Sequence, residues 1–164
     1  NYRTSMSNGS ALHFFAGYSY NHTSIRGEVA TPLQLAGLGN VLYDRVERGR
    51  TECGQPRNQA RFTGDFTKSR FAASANVGLY GSYCVKQLNA TGADDQVFSK
   101  KFITDLEASY RLEKVTFGVG VQNLFDVYPE QVLPQLQPQG VRYPGVSPFG
   151  INGRFGYVRA SLRF

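Results

Sequence analysis

The chain has 164 residues, a formal net charge of +6 and a mean hydropathy of −0.34. Hydrophobic residues make up 41% and charged residues 18%, with 18 Gly and two Cys, which excludes a disordered polyelectrolyte and a disulfide-dense miniprotein. No apolar run reaches the ~18 residues of a membrane-spanning helix, but a membrane β-strand is apolar only at every second position, so a membrane β-barrel stays open. The Lys and Arg residues are dispersed along the chain rather than gathered in a basic run, so no nucleic-acid partner is expected.

The informative signal is period-two alternation. Tyr2 to Met6 reads as the tail of a strand, with Ser7-Asn8-Gly9-Ser10 as its turn. Leu12, Phe14, Ala16, Tyr18 and Tyr20 then alternate with His13, Phe15, Gly17, Ser19 and Asn21. After a long connection over residues 23–56, Ala60, Phe62, Gly64 and Phe66 share one face, and Arg61, Thr63, Asp65 and Thr67 share the other. Lys68-Ser69 reads as a two-residue turn. A strand from Phe71 to Tyr83 follows, its odd positions apolar and most of its even positions small or polar.

A second long connection covers residues 85–100. Phe102, Thr104, Leu106, Ala108, Tyr110 and Leu112 then alternate with Ile103, Asp105, Glu107, Ser109 and Arg111. Glu113-Lys114 reads as the next tight turn, and Val115, Phe117, Val119 and Val121 alternate with Thr116, Gly118, Gly120 and Gln122. A third long connection covers residues 126–153, before a last strand in which Val158, Ala160, Leu162 and Phe164 share a face.

The turns set the register. A Lys68-Ser69 turn pairs Phe66 with Phe71 and Thr63 with Ser74; a Glu113-Lys114 turn pairs Tyr110 with Phe117 and Leu106 with Val121. Both keep apolar residues opposite apolar ones, and a one-residue slip would mix the faces. Extending the first register places Cys53 directly opposite Cys84 on the polar face, at the long-loop end. Opposed antiparallel Cα atoms lie ~4.5–5.5 Å apart, which suits a disulfide. Two free thiols or a metal pair are the alternatives.

Short turns and long connections alternate, so every long connection falls at one end of the sheet. The long ones hold all seven Pro residues, Pro32, Pro56, Pro129, Pro134, Pro138, Pro144 and Pro148, and none interrupts a strand. The strands run about 10–14 residues, against a globular mode of about 5–6. At ~3.3 Å per residue and ~40° tilt, 10–11 residues rise about 25–28 Å, the height of a barrel's apolar band. A β-sandwich alternates in the same way, but strand length and loop asymmetry run against it. The expected fold is all-β: an antiparallel, up-and-down transmembrane β-barrel segment of about six long strands and an N-terminal stub. Such a sheet is open, and unpaired edges are prohibitively costly in hydrocarbon, so the chain is expected to be part of a larger barrel. Its last strand runs out to Phe164, so the expected part is the C-terminal one.

The stretch Thr104-Asp105-Leu106-Glu107-Ala108-Ser109-Tyr110-Arg111-Leu112, its tight turn, and Val119-Gly120-Val121-Gln122-Asn123-Leu124-Phe125-Asp126 resembles the end of TonB-dependent outer-membrane receptors. There, too, a strand ending in a Tyr-Arg-type turn is followed by one ending in Asn-Leu-Phe-Asp, a long last loop and a closing strand with a terminal Phe. Arg48-Gly49-Arg50 through Gln55-Pro56, leading into a strand, is similar to the late loops of these receptors. The resemblance covers residues 57–164 best.

It implies a barrel of about 22 strands around a plug domain, with residues 1–164 as its C-terminal segment and the plug lying outside them. It also implies uptake of a nutrient such as a ferric siderophore, cobalamin or a glycan across a Gram-negative outer membrane. The implied partners are outer-membrane lipid, the upstream strands and plug, the TonB complex through an N-terminal segment, and the barrel-assembly machinery. That machinery would read Val158, Ala160, Leu162 and Phe164, with Arg159 standing where Gly is common. A passive porin or another outer-membrane barrel is the alternative.

The remaining constellations read as follows. Arg45, Arg48 and Arg50, with Arg26 nearby and Arg142 and Tyr143 in the last loop, compose an electropositive vestibule for an anionic chelate, or else solvated loop charge. Asp44, Glu47 and Glu52 lie among them and would cancel much of the field. Arg61, Asp65, Asp105, Glu107, Arg111, Arg159 and Arg163 would line a wet interior or contact the plug. Asp105 and Glu107 share a face without a His or activated nucleophile, so no catalytic residue is expected. His13 and His22 lack metal-ligand spacing, and Gly118-Val119-Gly120 does not open a helix, so neither a metal nor a cofactor is expected. Asn8, Asn21 and Asn89 head glycosylation sequons, which matter only in a eukaryotic secreted protein. Tyr18, Tyr20, Tyr110 and Phe117 are candidates for interfacial aromatic girdles.

Overall fold

The structure is a computed structural model and describes residues 1–27, 30–88, 91–137 and 140–164. Pro138 and the sequon residue Asn89 lie outside the described residues. The elements in chain order are strands β1 (Tyr2–Ser5) and β2 (Ser10–Tyr20), helices α1 (Gly39–Leu42) and α2 (Arg45–Glu52), and strands β3 (Asn58–Lys68), β4 (Phe71–Tyr80), β5 (Tyr83–Val85), β6 (Gln96–Phe98), β7 (Lys101–Leu112), β8 (Val115–Gln122) and β9 (Phe155–Leu162). The protein is all-β in class. Seven strands form one antiparallel sheet in the order β1-β2-β3-β4-β7-β8-β9, and β5 and β6 form a separate ribbon.

The sheet is a meander whose edges are β1 and β9. Tight turns join β1 to β2, β3 to β4 and β7 to β8 at one end; the long connections lie at the other. The first turn is held by Asn8, whose side-chain oxygen accepts from both the backbone N–H (3.1 Å) and the hydroxyl (2.6 Å) of Ser10. The two-residue turns place Ser69 at φ 54 and Glu113 at φ 49.

The β7–β8 ladder runs Leu106↔Val121 to Leu112↔Val115, the register that the Glu113-Lys114 turn sets. The β3–β4 ladder differs from the expectation. The turn is Ser69-Arg70, one residue later, so Lys68 faces Phe71, Phe66 faces Ala73 and Thr63 faces Asn76. Two effects favour this pairing. Phe66 exchanges bulky Phe71 for small Ala73 as its direct partner, with Phe62 against branched Val77, while Phe66 and Phe71 meet on the diagonal with ring centroids 6.3 Å apart. The shift also lines up Thr63, Asn76 and Asp105 in one row across three strands. Asn76 then accepts from the Arg61 Nε (2.8 Å) and the Thr63 hydroxyl (3.1 Å), and donates to Asp105 (3.2 Å).

A second correction concerns Phe71 to Tyr83. The strand stops at Tyr80, and Tyr83 begins the β5–β6 ribbon. Gly81 donates to the carbonyl of Asn58 at 2.8 Å, and a Cβ there would lie 2.7 Å from that oxygen, so the chain can leave the sheet only where it has no side chain.

The register assigns the faces. One carries Leu12, Phe14, Phe62, Phe66, Val77, Leu79, Leu106, Phe117, Val119 and Val158; the other carries His13, Arg61, Asp65, Asn76, Asp105, Glu107, Arg111 and Arg159. No described element covers the apolar face. The sheet strands contact their ladder neighbours, β5 packs on β6, and α2 packs on β5. Apolar side chains are consequently open, Val158 at 83% and Val119 at 57% of their full exposure. The buried hydrophobic pair among the described residues, Tyr83 and Phe98, lies in the loop region instead. No helix of the described residues is long and apolar enough to cross a membrane, which does not bear on crossing by strands.

Candidate functional site

The three long connections fold into a cap at one end of the sheet. Its scaffold begins at Asp44, whose carboxylate accepts from the backbone N–H groups of Val46 (2.8 Å) and Glu47 (2.9 Å) and so caps α2. Gly49 lets the helix lie on the stem of Lys86, where a Cβ would come within 2.8 Å of that side chain. At the helix end Cys53 is joined to Cys84 by a disulfide with a Cα separation of 5.2 Å. The Cys84 N–H also donates to the Cys53 carbonyl at 2.7 Å. The two residues meet although neither lies on the β3–β4 ladder: Cys53 caps a helix and Cys84 sits in the β5–β6 ribbon.

Tyr83 and Phe98 stack with ring centroids 4.9 Å apart and form the core of the cap. Burial pushes the Tyr83 phenol pKa up to about 12. The third connection docks through Gln96, which donates to the Gln131 carbonyl (3.3 Å) and accepts from Leu133 N–H (3.0 Å). Glu130 pairs with Lys101 at 3.7 Å, and hydrogen bonding from Ser99 holds its carboxyl below the usual range.

Of the loop residues expected at a vestibule, Arg45, Arg48, Arg50, Arg142 and Tyr143 do not converge on one point. Arg45 turns towards Asp95, bonding both carboxylate oxygens (2.7 and 2.5 Å), and donates to the Gln87 carbonyl (2.8 Å). That guanidinium holds the Asp95 carboxyl below the usual carboxylate range. Arg50 pairs with Glu47 on the same helix. Arg48 makes its backbone bond to Asp44, and Arg142 accepts from Val132 N–H through its carbonyl at 2.8 Å. Tyr143 stacks on Tyr128 at 5.4 Å. Arg50 and Tyr143 do share the lining of one cavity of ≈ 550 Å³, between apolar walls from Val46, Phe98, Val132 and Leu136. This volume is that of a small-molecule site. Sequence reasoning missed Lys86, on the cavity rim and 3.9 Å from Glu52. No periodic or motif signal marks it.

The polar face carries two further clusters. Glu107 on β7 accepts from the Tyr157 hydroxyl (2.6 Å) and pairs with Arg159, both on β9, so the bonds pass across β8. The crossing needs Gly120 and Gly118, which lie under Tyr157 and Arg159; a Cβ at Gly118 would stand 3.0 Å from the Arg159 side chain. His13 Nδ1 lies 3.2 Å from Asp65. Among the described residues no group of three or more His, Cys, Asp or Glu is placed to hold a metal ion.

The Asn123-Leu124-Phe125-Asp126 segment is a strand terminator. Asn123 and Asp126 take positive φ of 49 and 57. The Asn123 side chain closes a ring with Val127, donating to its carbonyl (2.8 Å) and accepting from its N–H (2.9 Å). Asn123 N–H donates to Asp105 on β7 (2.9 Å), and Asp126 accepts from Arg154 N–H just before β9 (2.8 Å). Three strands are tied together where the last long connection leaves the sheet. Comparison with protein-family models, curated proteins and solved structures returns no match.

Proposed function

We propose that this chain is the C-terminal barrel segment of a TonB-dependent receptor that takes up a nutrient across a Gram-negative outer membrane. The observation that carries the reading is the uncovered apolar face of a sheet of long antiparallel strands, with all its long connections at one end. An apolar face of this size is stable only against another apolar medium, and acyl chains supply one without a second protein layer. The opposite face, wet and hydrogen-bonded, suits a barrel interior occupied by a plug. In this reading β9 is the closing strand, offering Val158, Ala160, Leu162 and Phe164 to the assembly machinery, and the upstream strands pair with β1.

The loop cap would form part of the external mouth. Its cavity would meet ligand through Arg50, Tyr143 and apolar walls, while Arg45 serves as a brace. The proposed activity is energised transport, so this segment supplies wall and vestibule rather than chemistry.

The test uses the full-length protein in outer-membrane vesicles, with nitroxide labels at Val119→Cys and Val158→Cys on the apolar face and Ser109→Cys and Ser161→Cys on the polar face. The expected result is high collision with oxygen in the lipid at the first pair and with a water-soluble nickel chelate at the second. Equal chelate access at all four positions would overturn the membrane reading. Uptake that persists without the inner-membrane potential would favour the porin instead.

A further inference from the structure

The net charge is not distributed evenly. Along the sequence of the long connections and the strand ends that flank them, ten Lys and Arg (Arg26, Arg45, Arg48, Arg50, Arg57, Lys86, Lys100, Lys101, Arg142, Arg154) accompany eight carboxylates (Glu28, Asp44, Glu47, Glu52, Asp94, Asp95, Asp126, Glu130). Across the middle of the sheet Arg3, Arg61 and Arg159 balance Asp65, Asp105 and Glu107. The short-turn end holds Lys68, Arg70, Arg111, Lys114 and Arg163 against Glu113 alone, so it carries four of the six net charges.

These five cations form a row over neighbouring strands. Arg111 N–H donates to the Arg70 carbonyl and Arg163 N–H to the Lys114 carbonyl, both at 2.9 Å, so the backbone holds like charges side by side. All five are exposed, and none makes an ion pair among the described residues. Like charges on adjacent strands repel unless an anion lies between them. The row also borders the aromatic end of the apolar face, since Lys68 pairs with Phe71, Phe71 with Tyr110 and Tyr110 with Phe117. Aromatic ring, then cation, then water is the order of groups at a bilayer surface.

We propose that the short-turn rim, through Lys68, Arg70 and Lys114, binds the phosphodiester headgroups of anionic phospholipid in the adjoining leaflet. The inference rests on the membrane reading above and adds a lipid class and a side of the membrane to it. Lys68 lies on the apolar face by register, and Arg70 and Lys114 stand at the turn tips, so all three reach the headgroup level. Arg111 and Arg163 lie on the polar face and strengthen the field from inside.

The test compares the full-length protein with its K68Q/R70Q/K114Q variant after reconstitution with equal phosphatidylglycerol and phosphatidylcholine, counting retained lipids by native mass spectrometry. Heat-modifiable migration on gels reports that each barrel is folded. The wild type should retain phosphatidylglycerol over phosphatidylcholine by roughly tenfold, and the variant should lose most of that preference. Folded wild type with no preference, or a preference that survives in the folded variant, overturns the headgroup site alone. An acidic protein segment seated on the rim would produce the first of these. Failure of the wild type to enter either bilayer overturns the membrane reading as well. If the triple variant does not fold, the single variants K68Q and K114Q are compared, and each should weaken the preference partially.

Discussion

Asn123 shows how much one side chain does at the top of this sheet. Its amide bonds both polar groups of the Val127 backbone, while its own N–H reaches Asp105 on the neighbouring strand. Removing the amide leaves the half-buried N–H and C=O of Val127 without partners. Asn123→Ala should therefore cost about 1–3 kcal/mol, and Asn123→Asp, which keeps the acceptor and loses the donor, should cost less. The midpoint temperature of thermal unfolding should fall in the order wild type, aspartate, alanine; equal values for all three would refute this role. Asp95 makes a pH prediction in the cap. Arg45 lowers its folded pKa, so its contribution is present above the ordinary Asp value of about 3.9 and is lost as pH falls through the depressed value. Amide exchange over residues 81–100 should stay slow at pH 5 and accelerate only in stronger acid. In Asp95→Asn that acid-dependent step should vanish, with protection already reduced at pH 5 and matching the wild type in strong acid.

At the scale of elements, the glycines of β8 matter because of what crosses them. Tyr157 and Arg159 lie over Gly120 and Gly118 to reach Glu107, so three strands are linked by side chains as well as by the ladder. Gly120→Val would push a side chain into the Tyr157 ring and should destabilise the sheet by about 1–3 kcal/mol. In a double-mutant cycle with Tyr157→Ala, much of that loss should disappear; additive losses would show that the crossing is not the cause. Elements also differ in how legible they were. Alternation assigns faces, and faces survive a register shift of two, so the pattern alone could not separate a Lys68-Ser69 turn from Ser69-Arg70. Packing of Phe66 on Ala73 and the Thr63, Asn76, Asp105 row decide it. Helix α2 did carry a signal, Asp44 three residues before Glu47. The three-residue strands β5 and β6 are too short to show any period. Nor can charge counting find the partner of Arg45, because Asp95 lies 50 residues away.

For the whole molecule, the distribution of apolar side chains is the central fact. The sheet keeps its hydrophobic face open, and the stacked Tyr83 and Phe98 give the loop cap a small core of its own. A charge on the open face should then be far more costly than one on the wet face. On the membrane reading proposed above, Val119→Arg in the full-length protein should lower stability by about 2–4 kcal/mol in a bilayer, whereas Ser161→Arg should change it little. Similar losses at both positions would mean that both faces meet water or protein. The cap and the wall should also separate under reduction. Opening Cys53–Cys84 should release the first two long connections to protease, while the strands stay protected by their ladder hydrogen bonds. The same bridge has a topological consequence. It encloses the whole β3–β4 hairpin in a covalent ring, so one peptide-bond break anywhere between residues 53 and 84 leaves a single molecule of unchanged mass apart from one added water, which falls into two pieces only when a reductant is present.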